Sequence, residues 1–124
     1  MNGNPVVWFE IYVQDMQRAR NFYETVFKVS LQELESPVSD IEMLSFPSDM
    51  NKYGISGALA KMNGVPSGGG TLVYFHCDDC AIEEQRAAQA GGSIHKSKTS
   101  IGPYGYFSLV QDTEGNLIGL HSMK

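Results

Sequence analysis

The chain has 124 residues, 42% of them hydrophobic and 19% charged, with a net charge of −5 and no basic cluster. That is the balance of a globular domain with one real core, and it excludes nucleic acid and anionic membrane surfaces as partners. No apolar run approaches the ~18 residues of a membrane helix, and Met1–Pro5 has neither a basic stretch nor a signal-type apolar core, so a cytoplasmic location is expected.

The first predicted element is a strand from Val6 to Val13. Val7, Phe9, Ile11 and Val13 are apolar and alternate, which suits a face buried under a helix. Trp8, Glu10 and Tyr12 form the other face, aromatic with one carboxylate, which suits the wall of a partly polar cavity. Asp15 is a plausible N-cap for a helix on which Met16, Ala19, Phe22, Tyr23, Val26 and Phe27 recur at steps of three and four. Short strands follow at Leu31–Glu35, ended by Ser36-Pro37, and at Ile41–Phe46, ended by Pro47. Ile55–Met62 is a fourth strand whose small residues Gly57, Ala58 and Ala60 mark a close approach by another group.

Asn63 to Gly70 (NGVPSGGG) reads as a linker; no Lys-Ser/Thr and no helix follow it, which removes the phosphate-cradle reading. The order then restarts. Leu72–Cys77 is a strand, Asp79 opens a helix that runs to about Ala90 and stops at Gly91-Gly92, and Ser93–Lys98 is an edge strand. A loop at Ile101-Gly102-Pro103, a strand at Tyr104–Gln111, a turn at Asp112–Asn116 and a strand at Leu117–Ser122 complete the chain. Asp15 and Asp79 hold equivalent places 64 residues apart. That offset superposes Phe9 on Val73, Ile11 on Phe75 and Val13 on Cys77, and on the mixed face Trp8 on Leu72, Glu10 on Tyr74 and Tyr12 on His76. An internal duplication explains this. The expected fold is α+β, one domain over 1–124 of two βαβββ modules (5–62 and 71–122, linker 63–70), whose curved, mostly antiparallel sheet encloses a cleft.

Cys77 and Cys80 form a C-x-x-C pair. One reading is a redox pair at a helix start, opposed by the charges of Asp78 and Asp79; the other is two reduced structural thiols. A zinc knuckle would need a second ligand pair. Glu33, Glu35 and the Glu83-Glu84 pair read as solvated, as does His95 among Lys96 and Lys98.

The stretches WFEIYVQDMQRARNFYETVF and GPYGYFSLVQDTEGNLIGLHS resemble the opening and closing of the vicinal oxygen chelate superfamily, which includes glyoxalase I, extradiol dioxygenases, fosfomycin-modifying enzymes and bleomycin-binding proteins. The resemblance implies a divalent metal held by His and Glu side chains in the enzymes, and a metal-free ligand cleft in the binding proteins. It also implies a homodimer. Carried over, the metal positions fall on Trp8, Leu72, Gly119 and the neighbourhood of Gly57, where no usual ligand stands. A catalytic metal site needs about three protein ligands. No cofactor is therefore expected from these positions, although a divalent metal in a displaced site stays open. The cavity-face candidates are Trp8, Glu10, Tyr12, Leu72, Tyr74, His76, Tyr106 and His121. Glu10 and His121 are the catalytic candidates, as general base and acid; a further version has them hold a weak metal with His76, and the structural alternative is a Glu paired to a Tyr, Lys or His. The function expected is small-molecule binding without the usual metal site. The alternatives are a lyase or isomerase acting on a small oxygenated substrate around Glu10 and His121, and a non-catalytic interaction module.

Overall fold

The computed structural model describes residues 3–36 and 40–124; the break expected at Pro37 lies outside them. The elements run β1 (Val6–Tyr12), α1 (Met16–Phe27), β2 (Gln32–Glu33), β3 (Ile41–Ser45), β4 (Ser56–Met62), β5 (Thr71–His76), α2 (Cys80–Gln89), β6 (Ser93–Ser100), a 3-10 turn (Gly102–Tyr104), β7 (Tyr106–Gln111) and β8 (Leu117–Ser122). This is the α+β class, with the βαβββ order twice. β2 is shorter than the apolar pattern predicts: Gln32 and Glu33 pair in register with Ser45 and Leu44, and beyond them the Leu34 N–H makes one further bond, to the Met43 carbonyl at 3.1 Å. β7 starts two residues late because Gly102–Tyr104 tightens into the 3-10 turn, and β6 runs to Ser100 because Thr99 and Ser100 pair with Phe107 and Tyr106. The chain divides into two compact units, Trp8–Thr71 and Leu72–Lys124 with the N-terminal residues through Val7.

In the unit Trp8–Thr71 the strand order is β2-β3-β4-β1. β1 lies parallel to β4, and the other pairs are antiparallel. Helix α1 starts where Asp15 accepts a hydrogen bond from the Arg18 backbone N–H at 3.0 Å. It covers a core of Val13, Met16, Leu31, Leu44 and Leu59, joined by Ile11, Ala19, Tyr23 and Phe46. The far end of the helix is tied to the chain beyond it. Glu24 accepts from the Leu31 N–H at 2.8 Å, and Arg20 donates to the Leu31 carbonyl at 2.9 Å. The Leu31 N–H, with help from Arg20, holds the Glu24 carboxyl below its ordinary range. The apolar stripe on α1 is wider than the face that reaches the sheet: Phe22, Val26 and Phe27 remain 58%, 52% and 60% exposed.

In the other unit the order is β5-β8-β7-β6, with β5 parallel to β8. The His76 N–H also bonds the Pro5 carbonyl at 2.8 Å. Cys77, Cys80, Val110 and Leu120 form the core under α2, with Phe75, Ala87, Tyr106 and Ile118 packed against it. β6 is the outer strand, and its register against β7 shifts twice, between Ile94 and Lys96 and between Lys96 and Thr99. His95 is exposed on it. Glu83 and Glu84 are not a solvated pair. Glu84 is buried and accepts from the Lys98 N–H at 3.0 Å, while Glu83 accepts from the Asp78 N–H at 3.2 Å. Packing of α2 on β6 turns Glu84 inward, and a backbone donor compensates part of its burial.

Asp79 caps α2 by accepting from Ala81 N–H at 3.0 Å, and the same oxygen takes the Lys98 ammonium at 2.9 Å. Lys98 also lies 4.5 Å from the centre of the Tyr106 ring. The Lys98 hydrogen bond first, then the Ala81 N–H, hold the Asp79 carboxyl below its ordinary 3.8. A depressed carboxylate contributes stability that is present above its unfolded value and is lost as pH falls through the folded one. The melting temperature of wild type should therefore fall more steeply below about pH 4 than that of Asp79→Asn, which keeps a capping side chain but does not titrate; parallel thermal melts across that range check it.

Candidate functional site

The alternation read from the sequence holds along β1. Ile11 packs into the core under α1. Trp8, Glu10 and Tyr12 therefore leave the opposite, helix-free face, and they touch one another. The Trp8 indole N–H donates to one Glu10 oxygen at 3.2 Å, and the Tyr12 hydroxyl donates to the other at 3.1 Å. The carboxylate is thus held from both sides by residues of its own strand, spaced by the two-residue repeat that puts all three on one face. Burial first, then the Glu10 charge and hydrogen bond, raise the Tyr12 phenol above its usual value, so it stays a donor. All three are half-buried. Across the parallel pairing, Trp8, Glu10 and Tyr12 face Ser56, Ala58 and Ala60. The small side chains noted in that strand lie beside the bulky ones of β1, and Met43 and Ser45 of β3 lie beyond them.

The same logic orders the second module. Phase relative to Phe75 and Cys77 puts Tyr74 and His76 on the helix-free face of β5, and Leu72 shares their phase. Phase relative to Ile118 and Leu120 puts Gly119 and His121 on the same face of β8. Tyr74 is registered against Gly119 and His76 against His121. Next to them on β7 stand Leu109, opposite Gly119, and Phe107, opposite His121. The His121 ring nitrogen Nε2 meets the Tyr104 carbonyl. Leu72 and Tyr74 are buried, and His76 and His121 are half-buried.

Tyr106 does not belong with these residues. It packs with Val110 and Leu120 under α2, with Lys98 over its ring. The sequence reading placed it with the cavity-face residues; pairing with Ser122 puts it in the opposite phase. Phe107 and Leu109 are the β7 residues on the His121 face, and the reading missed them. Counting back from His121 across the turn gives their phase once the turn length is known.

The positions that the family resemblance marks for a metal can be tested for fit. Gly119 has no room for a ligand side chain, because a Cβ there would fall within the ring of Tyr74. Gly57 pairs with Phe9, whose carbonyl and ring leave no space for a Cβ. Trp8 presents an indole N–H, a donor without a lone pair for a cation, and Leu72 is aliphatic. These positions do not fit a metal. Among the described residues no three His, Cys, Asp or Glu side chains gather around one point. Cys77 and Cys80 are free and buried. Burial, reinforced by Glu83 and Cys80, pushes the Cys77 thiol up to about 12, and burial also raises Cys80. A reactive redox pair would need the opposite shift.

A separate shallow cavity of about 280 Å³ lies among Asp40, Ile41, Glu42, Lys61 and Asn63, at the open end of the β3–β4 pair. No helix among the described residues is long and apolar enough to cross a membrane.

No curated protein sequence matches the chain. Among solved structures it is similar to methylmalonyl-CoA epimerase from Mycobacterium tuberculosis, with 14% identity and a TM-score of 0.69 over 97% of this chain and 88% of that one. It is also similar to a Streptomyces coelicolor methylmalonyl-CoA epimerase variant in complex with 2-nitronate-propionyl-CoA, with 12% identity and a TM-score of 0.70 over 96% of each chain. A hypothetical protein from Bacillus halodurans is similar at 12% identity and a TM-score of 0.71, over 96% of this chain and 94% of that one. At these identities the likeness shows the fold. The family model of the Glyoxalase/Bleomycin resistance protein/Dioxygenase superfamily matches residues 6–120, and with the duplicated βαβββ order this establishes that the chain belongs to that superfamily.

Proposed function

We propose that this protein binds a small organic molecule on the helix-free face of its first module, without a metal at the positions usual for the superfamily. The observation that carries the reading is the Glu10 carboxylate held between the Trp8 indole and the Tyr12 phenol, both half-buried, on a face opposite to the helix. Binding sites combine apolar and aromatic surface with a few fixed polar groups, and this trio supplies both. On the second module, taken by itself, Leu72, Tyr74, His76 and His121 are the ligand-contact candidates proposed on its helix-free face. A small-molecule partner, pairing into a homodimer and a cytoplasmic location are parts of the same proposal.

Trp8 is the sole tryptophan, so intrinsic fluorescence reads this face directly. A screen of small aromatic, acidic and cationic compounds should yield a saturable change in emission, with a matching rise in melting temperature as the folded state is favoured by mass action. Glu10→Gln should weaken the best compound about tenfold, the scale of one lost charge-assisted contact. Compounds that raise the melting temperature while leaving Trp8 emission unchanged would place binding elsewhere and overturn the proposal, as would a screen with no response.

A second reading is an isomerase-type enzyme that moves a proton between a substrate carbon and Glu10 or His121. The neighbours named as methylmalonyl-CoA epimerases favour it. Against it, each Glu10 oxygen already accepts a hydrogen bond within its own strand. Exchange of a carbon-bound proton of a bound compound into deuterated water, lost in Glu10→Gln, would replace the binding reading with this one.

A further inference from the structure

Two of the three histidines of the chain stand side by side in the second module. β5 and β8 are parallel, and His76 is registered directly against His121. The residues just before them, Phe75 and Leu120, pack with Cys77, Cys80 and Val110 under α2, so both imidazoles leave the opposite face. Neighbouring strands lie about 4.8 Å apart, and an ion takes imidazole nitrogen at about 2.0–2.1 Å. Two rings projecting from adjacent strands therefore need to converge only slightly to share one ion.

One of the rings is already fixed in the way metal-binding histidines are. Nε2 of His121 lies at hydrogen-bond distance from the Tyr104 carbonyl. A carbonyl only accepts, so Nε2 carries the proton and the free lone pair is on Nδ1. Donation of the second ring N–H to a backbone carbonyl is the usual arrangement that orients a ligating imidazole and raises its basicity. The carbonyl itself is fixed. Gly105 has φ +98° and packs so closely on the Ser122 carbonyl that a side chain there would collide. The Ile101 N–H bonds the Gly105 carbonyl at 2.9 Å and closes the turn.

We infer that His76 and His121 together bind a late first-row divalent cation such as Ni²⁺, Cu²⁺ or Zn²⁺. Imidazole suits these ions, and affinity should follow the order Co²⁺ < Ni²⁺ < Cu²⁺. The two side chains do not lie at Leu72 or Gly119, the positions to which the resemblance pointed, and they supply two ligands. The remaining coordination positions stay open to water or to an oxygen or nitrogen donor of a bound compound. This inference goes beyond small-molecule binding at Trp8 and does not depend on it.

The experiment uses untagged protein, stripped with chelator and titrated with NiCl₂ by calorimetry, together with an electron paramagnetic resonance spectrum after one equivalent of Cu²⁺. Wild type should take up one ion per chain. His76→Gln and His121→Gln should each weaken uptake at least about tenfold, while His95→Gln, on the outer strand, leaves it unchanged. The copper spectrum should show coupling to two nitrogens. Circular dichroism of each variant separates lost binding from lost folding, and the wild-type copper spectrum needs no variant. Absence of saturable uptake by wild type, a copper spectrum without two-nitrogen coupling, or uptake that depends on His95 instead of the pair would each overturn the inference. None of these results bears on Trp8 emission, which reports on the small-molecule proposal separately.

Discussion

Gly119→Glu should cost about 3 kcal/mol or more of folding stability, although it places a carboxylate at a position that the family resemblance marks for a metal ligand. Tyr74 pairs with Gly119 across β5 and β8, and its ring occupies the volume of any side chain at 119. Both positions are buried. The new side chain would force the ring off its rotamer and bring a charge into a closed site, and each alone is destabilising. The coupling can be isolated. Tyr74→Ala alone should destabilise by loss of packing, and the double variant should be more stable than the sum of the two single costs implies, because the collision is gone. Urea unfolding of the four proteins measures it. Simple additivity would mean that the ring and the glycine are not exchanging the same space. The same contact leaves no room for a ligating side chain at 119: the tyrosine and the glycine are one packing unit.

Leu59→Ala should cost about 3 kcal/mol, within the 2–5 typical of buried leucine truncation. Leu59 is fully buried between Ile11 and Leu44, its partners on β1 and β3, in the core beneath α1. Backbone pairing on both sides of β4 limits collapse of the cavity. Phe22→Ser offers the contrast. It removes a larger apolar side chain, but one 58% exposed, and should change stability by less than about 1 kcal/mol. Thermal or urea unfolding of the two variants decides whether α1 is anchored by its Met16–Ala19–Tyr23 side alone. An equal loss in both would mean that Phe22 is covered in solution.

These two variants also show what the sequence makes legible. The sequence marks β4 by its small residues and does not single out Leu59, whose neighbours in phase are Gly57 and Lys61; pairing with Ile11 and Leu44 makes it core. A phenylalanine in a helix reads as core by spacing, yet spacing does not say how wide a face the sheet can cover. The duplication was readable because its markers are local chemistry: Asp15 and Asp79 each accept a backbone N–H at the start of a helix, and alternation starts at a fixed distance before each. For the same reason Trp8, Glu10 and Tyr12 could be grouped before any contact was known. Tyr106 was misplaced because its phase depends on its pairing with Ser122 across the hairpin, and register is a non-local quantity. Glu84 escapes the sequence reading because a charged residue in a helix is usually solvated; here it is buried, with one oxygen accepting the Lys98 N–H. The side-by-side placement of His76 and His121 had no local signal either, since 45 residues separate them in sequence.

The two register shifts in β6 bear on how the molecule behaves when concentrated. An outermost strand normally offers a regular row of unpaired amides to which a stray segment can add, the first step of runaway polymerisation. Here that row is interrupted on either side of Lys96, and Lys96, Lys98 and an exposed imidazole populate the strand. Growth of fibrils from this border is therefore disfavoured at the level of backbone geometry.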